Sequence, residues 1–173
     1  MTLIENLLSG IEMRTLASPL EWNPLREVDA LQEVGLLDCR MCPLTGRAGL
    51  LLDMRTSLHY PAGNAALLVV GGLESFQWRE TSMERDLVPF IIVSSRPLWV
   101  RKNWRMEISL FPDGELSFAG ARADFHLLDA EGIPDAPPDY MNGKIDEVIS
   151  ALPWWNSPCT LLRSSTTGGI KAL

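Results

Sequence analysis

Trp104, Met106, Ile108 and Leu110 alternate with Arg105, Glu107 and Ser109, and the run ends at Pro112, Asp113 and Gly114. A period of two sorts side chains onto the two faces of a strand, and a Pro-Asp-Gly turn brings the chain back against it. The returning arm, 115–128, sets Ala119, Ala121, Ala123, Phe125 and Leu127 on one face and Gly120, Arg122, Asp124 and His126 on the other. An antiparallel hairpin is therefore predicted over 105–128, and a helix there is excluded.

The same reasoning extends along the chain. Residues 36–41 and 50–54 read as a second hairpin around a turn at 43–46, with Asp53 and Arg55 together on its wetter face. Residues 65–70 and 73–78 are strand material divided by Gly71 and Gly72, which mark a bulge, a bend or a close backbone approach. Residues 88–93 add another strand. Leu3, Leu7, Leu8 and Ile11 recur near a helical turn, with a limit before Pro19. Asn23 and Pro24 read as N-cap and first position of a short helix carrying Leu25, Val28 and Leu31. After Asp139, the i, i+3, i+4, i+7 spacing of Ile145, Val148, Ile149 and Leu152 predicts a helix that turns this stripe onto the sheet. Lys144, Asp146 and Glu147 then face outward, and Pro153 ends the helix. The fold class expected is α+β: a single domain over 1–163, largely antiparallel sheet covered by N-terminal and C-terminal helices, with 164–173 a flexible tail.

Apolar residues make up 46% of the chain and charged residues 21%, a composition that folds. Fifteen Lys and Arg oppose twenty-two Asp and Glu, a net charge of −7. That field repels a phosphate backbone, and no cluster of five basic residues interrupts it, so no nucleic-acid partner is expected. A basic protein is the complementary partner, for example a cationic nuclease whose active face is covered. No apolar run is long enough to span a membrane. Residues 1–10 carry Glu5 and no basic run ahead of their leucines, so a signal peptide is not expected and a cytoplasmic location is. Cys39 and Cys42 form a C-x-x-C, but with Cys159, His59 and His126 as the other soft donors the ligands for a metal site are missing. Neither metal nor cofactor is expected.

Two groups of residues stand out as site candidates. Asp124 and His126 share a strand face with Arg122, so a carboxylate could orient an imidazole for general-base work, although a solvated sheet face displays the same residue types. No G-x-S-x-G, H-E-x-x-H, G-x-G-x-x-G or phosphate-loop motif accompanies them, and no catalytic residue is assigned. The second group is a binding surface: Trp154 and Trp155, of which one seals the core and the other is free for a partner, with Asp129, Glu131 and Asp135 in a proline-stiffened acidic connection.

The stretches Gly49 to Thr56, Trp104 to Leu116, Ala123 to Pro134 and Ala136 to Tyr140 resemble a class of small, functionally uncharacterised bacterial proteins. The organisation is also similar to that of immunity proteins from bacterial toxin systems, which join an antiparallel sheet to one or two helices. That resemblance implies a noncatalytic inhibitor of a basic partner and transfers no catalytic residue. An enzyme using His126 and Asp124, or a homodimeric accessory protein, is the alternative.

Overall fold

The computed structural model describes residues 1–10, 20–81 and 87–168. In chain order these form β1 (Thr2–Leu3), α1 (Ile4–Leu8), β2 (Gly35–Cys42), β3 (Arg47–Asp53), β4 (Ala65–Arg79), β5 (Phe90–Val100), β6 (Asn103–Phe111), β7 (Gly114–Ala130), α2 (Ile145–Ser150) and β8 (Pro158–Gly168). All pairings are antiparallel, in the order β1-β8-β7-β4-β3-β2-β5-β6, and β6 pairs again with β7. That last pairing joins β7, β4, β3, β2, β5 and β6 into a closed ring, while β8 and β1 continue outward from β7. Closure removes edges that a flat sheet would expose.

β7 makes both arrangements possible. One of its edges lies on β4 from Glu115 to Leu128, and the other pairs with β6 up to Gly120 and with β8 from Arg122. At the handover the backbones crowd: a Cβ on Gly120 would lie 2.5 Å from Val70 Cγ1 and 2.7 Å from the Gly71 carbonyl oxygen. Gly72 opposite takes φ +58°, beside a register shift between Leu73 and Ser75. The alternation of β7 slips here, with Leu116 and Phe118 facing the ring interior before it and Ala123, Phe125 and Leu127 after it. Ala121, expected on the inner face with Ala123, is exposed at the slip.

The ring interior is the main core. Trp104, Met106, Ile108 and Leu110 all enter it, joined by Leu50, Leu52, Leu68, Phe118 and Phe125. A second core lies on the outer face of β3, β4 and β7, where Leu51, Leu67, Val69 and Leu128 pack with Ile4, Leu7, Trp155 and Cys159. Strands covered on both faces read as unbroken apolar runs, which accounts for residues 65–70 being buried throughout.

The α+β expectation with covering helices is overturned, because the two described helices span only five and six residues and the sheet closes on itself. In α2 only Val148 is buried, and Ile145 and Ile149, expected inward, are 63% and 52% exposed. Residues 23–33 form turns in place of the second helix. Asn23 does cap one turn, its Oδ1 accepting from the Leu25 amide at 3.0 Å, but Asp29 and Glu33 take positive φ and stop propagation. The limit of the first helix before Pro19 falls outside the described residues. Residues 164–168, expected in a tail, belong to β8 and pair with residues 122–126. Their Ser and Thr content suits a strand that has solvent on one side.

Candidate functional site

Between the end of β7 and the start of β8 the chain leaves the sheet on an excursion that contains α2. Its base is pinned by the Glu131 amide, which donates to the Pro158 carbonyl, and by the Asn64 side chain, which bonds both the amide and the carbonyl of Ala130. Its middle is held from below by Arg55. The Arg55 guanidinium grips Asp53 through both carboxylate oxygens, at 2.8 and 2.7 Å, and donates through Nη1 to the carbonyls of Pro134, Ala136 and Ala151 at 2.9, 3.0 and 3.1 Å. The side chains of Arg55 and Asp53 are 2% and 5% exposed, so their expected wet face is a buried clamp beneath the excursion. Tyr140 joins it, its phenol pushed up to about 12 by burial first and by Asp53 second.

At the tip, Asp139 Oδ1 accepts from the amides of Met141 and Asn142, and Oδ2 accepts from the Asn142 side chain. Those hydrogen bonds hold its carboxyl below the ordinary range. Asp129 at the end of β7 and Glu131, Asp135, Asp139, Asp146 and Glu147 along the excursion are all exposed.

The two tryptophans differ in burial. Trp155 is 1% exposed, its indole N–H donating to Asp38 Oδ2 at 2.6 Å and the Arg40 guanidinium lying 4.5 Å from its ring centroid. Trp154 is 40% exposed. Of the two binding candidates, Trp155 is thus a core residue, and Trp154 is partly exposed to solvent.

Asp124 and His126 do share a face, and each meets a hydroxyl of β8. Asp124 is taken by a bidentate contact from Arg122 and by Thr166 Oγ1 at 2.6 Å. His126 Nδ1 lies 2.9 Å from Ser164 Oγ. The imidazole therefore has a hydroxyl neighbour, while the carboxylate beside it is committed elsewhere. Burial lowers the His126 pKa below the ordinary 6.5, Asp124 opposes that shift and Arg122 adds to it. A depressed histidine binds fewer protons folded than unfolded, so its contribution to stability is present above pH 6.5 and fades as pH falls through the folded value. His126→Gln is expected to flatten that part of a stability-against-pH curve measured by urea unfolding, and an unchanged slope would contradict the burial.

Cys39 and Cys42, three apart on β2, diverge. Cys39 packs against the ring interior with its thiol pushed up to about 12, by burial first and Asp38 second, and Cys42 stands at the turn. No cluster of metal-ligating side chains occurs among the described residues.

One assembly had no signal in the sequence. Trp22 and His59 stack at 5.1 Å, and with Tyr60, Leu127 and Arg163 they border an open cleft of about 680 Å³. Neither Asp124 nor His126 lines it. The cleft unites side chains from distant loops with others from β7 and β8, so only the folded chain reveals it.

No protein family, curated protein or solved structure matches this chain. No described helix is long and apolar enough to cross a membrane.

Proposed function

We propose that the chain is a noncatalytic protein-interaction domain that binds a basic partner, as an immunity-like inhibitor does. The placement of its charge is the observation that supports this reading. Residues 129–157 hold six carboxylates against the single cation Lys144, a net −5 of the whole chain's −7. A local field of that sign attracts a cationic surface and speeds its association. The Arg55 clamp and the Asp139 turn tie down the backbone that carries most of these carboxylates, which lowers the ordering cost of binding.

Capture from native lysate with the wild-type chain and with an Asp135→Lys, Asp139→Lys, Glu147→Lys variant tests the reading. The expected result is a basic protein bound one to one by the wild type, with affinity falling about tenfold or more at raised ionic strength and in the variant. Equal capture by both chains would contradict it.

An enzymatic reading has one observation in its favour, the contact of Ser164 with His126. It ranks second because Asp124 is engaged by Arg122 and Thr166. Loss of an activity in a folded His126→Ala variant would place it first.

A further inference from the structure

We infer that the partner docks on the solvent face of α2 and its flanking turns, through Met141, Ile145, Ile149 and Trp154, and that it presents an apolar patch within a rim of Lys and Arg. This rests on the basic-partner reading and adds to it where the contact lies and what its centre is made of. Ile145 and Ile149 are one helical turn apart on the same face, Met141 is 93% exposed, and Trp154 closes the segment. Single exposed apolar residues are ordinary, but Ile145 and Ile149 stacked on one helix face, with Met141 and Trp154 exposed in the turns before and after it, give α2 an outward apolar face of the kind that marks an interface. Val148 and the Arg55 clamp already anchor the segment from beneath, so the outward residues are not needed for its packing.

Charge selects the occupant. Asp139, Asp146 and Glu147 interleave with the apolar residues, and Lys144 is the only Lys or Arg between Arg122 and Arg163. A second copy docking by a two-fold axis would bring the same patch, and therefore the same carboxylates, face to face. A cationic rim around an apolar centre satisfies both features, and a large aromatic such as Trp154 suits the centre of such a contact.

Three synthetic helical peptides serve as probes: a Lys/Leu amphipathic sequence, its Glu/Leu counterpart, and a Lys/Ser sequence of equal charge. Binding is followed by amide chemical-shift mapping on the full chain. The Lys/Leu peptide is expected to shift residues 139–154, Lys/Ser to bind more weakly at the same place, and Glu/Leu not to bind. Ile145→Ser combined with Ile149→Ser should weaken the Lys/Leu peptide about tenfold. Leu44→Ser, at a 95% exposed position in the β2–β3 turn, should leave it unchanged. Shifts confined to another surface, or equal effects of the two variants, would overturn this docking face and leave the basic-partner reading standing. Failure of both cationic peptides to bind anywhere would overturn both. Self-association abolished by the double serine variant would assign the face to a second copy and overturn the inference.

Discussion

Arg55→Ala is expected to cost about 3–5 kcal/mol of folding stability, because it leaves a buried carboxylate without its cation. Asp53 is buried in the folded chain, so its carboxylate loses its cation without regaining the hydration it has when unfolded. The substitution also strips the carbonyls of Pro134, Ala136 and Ala151 of their shared donor, which joins the excursion to the end of β3. Arg55→Lys should recover only part of the loss, since an ammonium cannot grip both carboxylate oxygens while reaching three carbonyls. Urea unfolding measures the stability, and limited proteolysis within residues 134–151 reports whether the excursion has loosened. A loss below about 1 kcal/mol for Arg55→Ala, with proteolysis unchanged, would mean that the excursion is held by something else.

Trp155→Ala is expected to cost about 3–5 kcal/mol, and Trp154→Ala clearly less, because 40% of Trp154 is exposed. Trp155 fills the second core against Gly49, where an added Cβ would lie 3.3 Å from the indole. Its removal opens a cavity, leaves Asp38 without the indole donor, and takes the ring from beneath Arg40. The carbonyl of the same residue accepts from the Glu5 amide, so α1 depends on the local backbone there as well. Comparing the two neighbours separates burial from residue type. Similar losses would contradict the assignment of one to the core and the other to solvent.

The strands were legible where local pattern and burial coincide. Residues 104–110 alternate cleanly because one face of β6 meets the ring interior and the other meets solvent. The pattern misleads where cover comes from a distant segment. Asp53 and Arg55 look like a wet face, yet the 134–151 excursion folds back over them, and no local period records that return. Ile145, Val148, Ile149 and Leu152 fit a helix whichever way the stripe points. With α2 only six residues long, Val148 and its flanking turns are enough to anchor it, and the other apolar residues are left outside.

The candidate site was legible in the same partial way. Period two along β7 placed Asp124 with His126, but Ser164 and Thr166 became their partners only through the pairing with β8, a segment that reads as a tail because it is rich in Ser, Thr and Gly. The carboxylates of residues 129–147 were evident from composition. The anchoring of that segment by Arg55 was not, because a single arginine seventy-nine residues before Pro134 carries no sequence signal of its contacts.

Hydrogen–deuterium exchange of the full chain, free and saturated with the basic partner captured from lysate, tests the docking account most directly. Protection is expected to concentrate in residues 139–154, with the Trp22–His59 cleft and the outer face of β8 unchanged. Protection of the cleft or of β8, with exchange in 139–154 unaltered, would contradict it.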